Sequence, residues 1–190
     1  MTLQQTAPIR LGMVGGGIDA FIGGVHRIAA RLDNRFELVA GALSSSSDKA
    51  RRSGEWLGLA EDRVYTDFRD MARREAARLD GIEAVAIVTP NHMHFPAACA
   101  FLEAGIHVIC DKPMTASLQE AHELVRIAQA SNAFFFLTHN YTAYPLVREA
   151  RHLVESGAIG QIRVVQVEYA QDWLTESLES TGQKQASWRS

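Results

Sequence analysis

Short, continuously apolar runs alternate along this chain with segments whose apolar residues recur every three or four positions. The runs occupy residues 9–14, 37–43, 84–88, 107–110 and 134–137. Runs of this length, with little polar alternation, are expected for strands covered on both faces. Helical patterns fall between them. Ile22, Val25, Ala29 and Leu32 make one stripe, and Leu118, Ala121, Val125 and Ala128 make another. Segments 67–79 and 95–104 read as two further helices, the second closed by Gly105. Ser117 followed by Glu120 fits a capping box. Repeated β–α alternation with right-handed crossovers predicts an α/β fold built on a doubly wound parallel sheet.

The first run leads into Gly15-Gly16-Gly17-Ile18-Asp19-Ala20. Gly15, Gly17 and Ala20 stand at the spacing G-x-G-x-x-A, one form of the dinucleotide fingerprint. In that pattern the first glycine permits a tight turn, and the second lets backbone approach a pyrophosphate. The small third residue lets helix and strand pack closely. The first turn of the following helix, with Phe21 and Ile22, offers its N–H groups to an anion. Ligands in such sheets bind beyond the carboxyl ends of the strands. There the chain places Ser44-Ser45-Ser46-Ser47, Thr89-Pro90-Asn91-His92-Met93-His94, Asp111-Lys112-Pro113 and Thr138-His139-Asn140-Tyr141. His92 and His94 have no third ligand at metal-site spacing, so no metal centre is expected.

Composition narrows the class. The chain has 190 residues, 47% of them apolar, which suits one or two globular domains. A net charge of −3 carries no electrostatic footprint for nucleic acid. The longest apolar runs fall far short of a membrane span, and residues 1–8 lack the charged and apolar regions of an export signal. Cys99 and Cys110 form no C-x-x-C pair and suit a reduced compartment. These features lead to the expectation of a cytoplasmic protein without nucleic-acid or membrane partners.

Three motifs occur in a telling order: the glycine fingerprint, T-P-x-x-x-H at Thr89 to His94, and an acid followed by Lys-Pro at Asp111-Lys112-Pro113. With Gly105-Ile106-His107-Val108 before the last of them, the chain resembles the Gfo/Idh/MocA family of glucose–fructose oxidoreductase and inositol dehydrogenase. The resemblance implies a Rossmann domain that binds NAD(P) and a hydride transfer to or from a sugar, cyclitol or related polyol. It places Lys112 beside both cofactor and substrate hydroxyl as the catalytic candidate, with burial making its ammonium a better proton donor. A solvated lysine before a helix-starting proline is the other reading of Lys112. Thr89, Pro90 and Asn91 would flank the adenylate side and ribose. His94 would orient the loop, contact the ribose, or bond backbone at a helix start. Asp111, one methylene shorter than the family's usual Glu, and Asn140 complete the cofactor-binding set.

The second strand's end bears on the cofactor's 2′ position. An NAD fingerprint expects a carboxylate about 20 residues past the glycines. Glu37 has that spacing but opens the second strand instead of closing it. At the strand's end stand the hydroxyls of Ser44 and Ser45, with Arg51 and Arg52 one helical stretch later. Hydroxyls and arginines suit a 2′-phosphate, which leans the reading to NADP. An exposed cationic helix face explains the two arginines equally well.

Residues 1–140 are read as the dinucleotide-binding domain and 141–190 as the start of a second α+β domain for substrate and oligomerisation. Segment 146–156 reads as a helix closed by Gly157, and 161–169 as a strand with Arg163, Val165, Val167 and Tyr169 on one face. The family's Gly-Asp-x-Gly-x-His type motif, associated with proton transfer, has no match, and residues 183–190 are polar. The second domain is therefore expected to be incomplete. Two functions follow: an oxidoreductase that uses Lys112 on a small polyol and forms homo-oligomers where the second domain is present, and a non-catalytic nucleotide-binding fragment. A methyltransferase using S-adenosylmethionine shares the glycine loop but has no use for Asp-Lys-Pro.

Overall fold

Five parallel strands, β1 (Ile9–Gly15), β2 (Phe36–Ala42), β3 (Ala84–Val88), β4 (His107–Cys110) and β5 (Phe135–Leu137), form one sheet in the computed structural model. Their order is β2-β1-β3-β4-β5. The structure describes residues 7–170 together with residues 175 and 180. The remainder of the export-signal reading, residues 1–6, and the polar segment 183–190 lie outside the described residues. The chain divides into two units, Met1–Thr138 and His139–Ser190.

Five helices belong to the first unit: α1 (Phe21–Arg31), α2 (Ser47–Leu57), α3 (Phe68–Ala76), α4 (His94–Glu103) and α5 (Leu118–Ala130). Alternate residues along each strand serve opposite faces of the sheet. Leu11, Met13, Ala84, Ala86 and Val88 pack with Ile22 and Ala30 of α1 and Leu57 of α2. Val85, Ile87, Val108 and Cys110 pack with Met71 of α3, Phe101 of α4 and Leu124 of α5. Both faces are covered, so the sheet is doubly wound as the apolar runs predict.

Chain order reverses between β1 and β3, which makes the gap between their carboxyl ends a topological switch point. A one-residue parallel bridge between Gly41 and Val64 lies outside β2, supported by the Tyr65 N–H bond to Gly41 O at 2.8 Å. Counting it as a strand gives the six-strand order of dinucleotide-binding sheets. No apolar run marks it in the sequence.

Helix phase departs from expectation twice. In α1 the buried residues are Gly23 and Arg27, while Val25 and Leu32 of the expected stripe are exposed. A contact sets that rotation: a Cβ on Gly23 would lie 2.4 Å from Gly16 Cα, so the helix is held against the glycine turn along its glycine edge. In α5 the buried residue is Leu124, while Leu118 and Val125 of the expected stripe are exposed. There Ala128 of the stripe does pack beside the core, but Leu124 and Ile127 join it in place of Val125, so the buried face is turned from the expected one. Helix α3 is shorter than segment 67–79. Asp67 caps its start by accepting from the N–H groups of Arg69 and Asp70, and the helix ends at Ala76. Half of the capping box at α5 forms: Ser117 Oγ accepts the Glu120 N–H at 3.2 Å, while the Glu120 carboxylate accepts the N–H of Ala116 at 3.3 Å instead of that of Ser117.

In the second unit α6 (Pro145–Glu155) carries proline in its first turn, and Gly157 follows it at φ 72°. Segment 161–169 forms no strand, contrary to expectation. Ladder bonds and a covered face are what stabilise a strand, and no other strand lies in this unit among the described residues. Ile162, Val164, Val165 and Val167 are exposed. Among the described residues no helix is long and apolar enough to cross a membrane.

Candidate functional site

The turn that leaves β1 is built from glycines for geometric reasons. Gly15 and Gly16 have φ of 78° and 71°, in the left-handed region that side chains disfavour. A Cβ on Gly17 would lie 2.7 Å from Ser53 Oγ and 2.8 Å from Leu43 O. Buried Ser53 accepts the Ile18 N–H at 3.1 Å, which holds the turn to α2. Arg27 donates from Nη1 to Gly16 O at 2.6 Å, and its guanidinium lies 5.2 Å from the centre of the Trp56 ring. Burial, and then the charge of Arg31, depress the Arg27 pKa.

Sequence reasoning named none of Gly23, Arg27 and Ser53. The available signal was Gly23 and Arg27 at i, i+4 just after the fingerprint. The close packing assigned to Ala20 is made by Gly23, because Ala20 occupies the N-cap position of α1. No side chain caps α1, and its first turn holds no acidic residue. The first-turn N–H groups, including those of Phe21 and Ile22, have no intrahelical acceptor. This crowded glycine backbone beside an uncapped helix start fits a pyrophosphate.

Beyond β3 and β4 one histidine joins two loops. His94 is buried, with Nε2 2.9 Å from Thr89 O and Nδ1 2.6 Å from Pro113 O. Both neighbours are carbonyl oxygens and can only accept, so a neutral ring serves one of them and an imidazolium serves both. Pro90 is exposed and Asn91 half-buried, at the start of the short turn Asn91–Met93 that enters α4. Thr89 Oγ1 is buried without a hydrogen-bond partner among the described residues. Such a hydroxyl at the mouth of the switch point is suited to a ligand's polar group.

Asp111 follows β4. Its N–H donates to Ile87 O at 2.9 Å, and its Oδ1 accepts from Thr138 Oγ1 at 2.8 Å. His26 Nε2, from α1, stands 3.7 Å from the same oxygen. Burial pushes the Asp111 carboxyl up, but the His26 imidazole and the Thr138 hydroxyl outweigh it and leave the pKa below the ordinary value. The next peptide, Lys112–Pro113, is cis. Lys112 itself is exposed, so the burial expected to tune its ammonium is not observed. It lies two residues past the end of β4, beyond the edge where the sheet's helices provide cover.

At the end of β2, Ser44 Oγ accepts the Ser46 N–H at 3.2 Å, and Ser45 is exposed. Arg51 is spent along its own helix, with Nη1 2.6 Å from Glu55 Oε1 and Nη2 3.2 Å from Asp48 Oδ1. Arg52 lies 3.9 Å from Asp48. The second unit holds Asn140, at the start of the turn Asn140–Ala143. No group of three or more His, Cys, Asp or Glu suited to a metal occurs among the described residues. Burial pushes the thiols of Cys99 and Cys110 up to about 11 and about 12.

The sequence profile of the Gfo/Idh/MocA oxidoreductase family, with its NAD-binding Rossmann fold, matches residues 9–139. The uncharacterized oxidoreductase YfiI of Bacillus subtilis is 39% identical over 163 residues, which is 85% of this chain and 42% of that protein. The levoglucosan dehydrogenase of Pseudarthrobacter phenanthrenivorans is 32% identical over 87% of this chain and 42% of its own length. An inositol dehydrogenase homolog from Azotobacter vinelandii, solved with NADH and myo-inositol, is 44% identical with a TM-score of 0.79. That likeness covers 83% of this chain and 42% of the other. The chain thus spans less than half the length of these proteins.

Proposed function

Since the chain belongs to the Gfo/Idh/MocA oxidoreductase family, we propose that it binds NAD(P) at its glycine turn and serves hydride transfer with a sugar, cyclitol or related polyol. The observation that carries the reading is the cradle at Gly15 to Gly17, where added side chains would strike Val88 O, Ser53 and Leu43 O beside an uncapped helix. The cofactor supplies the site that accepts or gives the hydride. Backbone N–H groups at Phe21 and Ile22 hold its pyrophosphate, while Thr89, Pro90 and Asn91 line its ribose side. Lys112 Nζ hydrogen-bonds the reacting hydroxyl oxygen and exchanges its proton as that oxygen gains or loses charge. Asn140 is proposed on its sequence position alone.

NADP is the preferred cofactor in this reading, supported by the lack of any carboxylate at Ser44 and Ser45. NAD is the second reading, favoured by the pairing of Arg51 with Glu55 and Asp48. Titration of both reduced cofactors by nicotinamide fluorescence decides between them. Tighter binding of NADPH supports the first, and tighter binding of NADH removes it. Ser44→Asp should shift preference toward NADH.

Nucleotide binding without turnover is favoured by the exposure of Lys112. Polyol-dependent cofactor reduction that is lost in Lys112→Ala supports the enzyme. Tight cofactor binding with no reduction over a panel of sugars and cyclitols supports the binding module. Residues 1–140 are proposed as the cofactor domain, and 141–190 as the start of a substrate and oligomerisation domain. A cytoplasmic location accords with Cys99 and Cys110, which form no disulfide among the described residues.

A further inference from the structure

The three residues Asp111-Lys112-Pro113 are held in an unusual manner. Asp111 is bound through its N–H to Ile87 of β3 and through its carboxylate to Thr138, just past β5. Pro113 is bound through its carbonyl to buried His94 of α4. Both neighbours of Lys112 are therefore tethered, while the lysine side chain faces solvent. The backbone of the lysine is constrained and its ammonium is free to reach.

One of these tethers comes from an unexpected direction. His26 belongs to α1, the helix that begins at the pyrophosphate cradle, yet its ring meets a residue that follows β4. Strand β3 lies between β1 and β4, so the contact spans the switch point. His26 and Asp111 side chains are only 13% and 17% exposed, which limits solvent screening of the contact. A separation of 3.7 Å is longer than a hydrogen bond, and contacts of this kind often tighten when a site fills. Asp111 is joined directly to Lys112 in the chain, so a pull on its carboxylate acts on the residue that carries the lysine's own peptide.

We propose that His26 is a positioning residue for Lys112, acting through Asp111 to couple the dinucleotide-binding helix to the lysine loop. The inference rests on the proposed function, in which Lys112 lies at the nicotinamide end of the cofactor. Binding of diphosphate at the start of α1 orders that helix. His26, one and a half turns along, transmits the order to Asp111 and sets the lysine for the reacting hydroxyl. A short aspartate suits this role, because it has fewer rotamers through which the pull can be lost.

The test compares two ligands on the full chain. ADP carries the adenosine and diphosphate but lacks the nicotinamide riboside; the reduced dinucleotide carries both ends. His26→Ala should weaken the reduced dinucleotide about tenfold while changing ADP by less than about twofold. His26→Gln, whose amide can still donate to Asp111, should recover most of that loss. Thr138→Val removes the other side-chain bond to Asp111, should act in the same direction as His26→Ala, and carries the test if that variant does not fold. Equal binding of the reduced dinucleotide in parent and variants overturns the inference. An equal loss for ADP also overturns it, because the histidine would then only support the cradle. Failure of the parent to bind either ligand is a different result and removes the site reading itself.

Discussion

The guanidinium of Arg27 donates to the carbonyl of Gly16 at 2.6 Å, so the glycine turn is braced by the helix it leads into. The brace explains why an arginine is buried on the sheet side of α1, at the place where an apolar stripe would ordinarily lie. Its stem packs while its head satisfies a carbonyl that the turn leaves without a ladder partner.

Arg27→Met should therefore preserve volume and lose the brace. Stability should fall by about 1–3 kcal/mol in chemical denaturation, the cost of leaving a buried acceptor unsatisfied. Dinucleotide affinity should fall with it. Unchanged affinity would show that the turn holds its shape without the bond.

Gly17→Val places a branched side chain against Ser53 Oγ and Leu43 O, both under 3.0 Å from an added Cβ. The turn must then move away from α2 and the end of β2. Isothermal titration with the reduced dinucleotide should detect no binding, while circular dichroism retains the helical signal. A variant that binds as the parent does would place the phosphate site elsewhere.

The buried network around Glu75 is a separate source of stability. Arg63 pairs with Glu75, whose carboxylate also accepts from Tyr65 Oη at 2.8 Å and the Ile82 N–H at 3.1 Å. Burial and the Glu75 bond push the Tyr65 phenol pKa far up. Arg63→Ala leaves a buried carboxylate without its cation and should cost about 3–5 kcal/mol. Adding Glu75→Gln to that variant should recover part of the loss, and a purely additive double variant would show that the pair is not coupled.

Acid sensitivity should be traceable to Asp111. Its folded pKa lies below the ordinary carboxylate value, so the unfolded chain binds the proton more readily. The resulting stability is fully present above the ordinary value of about 3.9 and is lost as pH falls through the lower folded pKa. Melting temperature measured from pH 6 to pH 2.5 should fall less steeply in Asp111→Asn than in the parent. Parallel curves would show that the carboxylate makes no net contribution.

Much of this architecture is written locally. Apolar runs such as Ala84–Val88 can only be buried on both faces, so the doubly wound sheet was legible before any contact was known. Gly15 and the Ser117–Glu120 cap were equally readable, because a left-handed turn and a helix start are decided within a few residues. What tertiary packing decided is everything that depends on rotation about an element's axis or on a partner from elsewhere. The face of α1 was chosen by the approach of Gly23 to Gly16, which turned Val25 and Leu32 outward despite their apolar periodicity. Val64 bridges to the sheet only because Gly41 O was available to its neighbour. Segment 161–169 has strand composition but no partner strand within its unit among the described residues, and composition alone does not make a ladder. His26 and Asp111, 85 positions apart in number, meet because a parallel sheet brings all its strand ends to one edge, a proximity that no local pattern encodes.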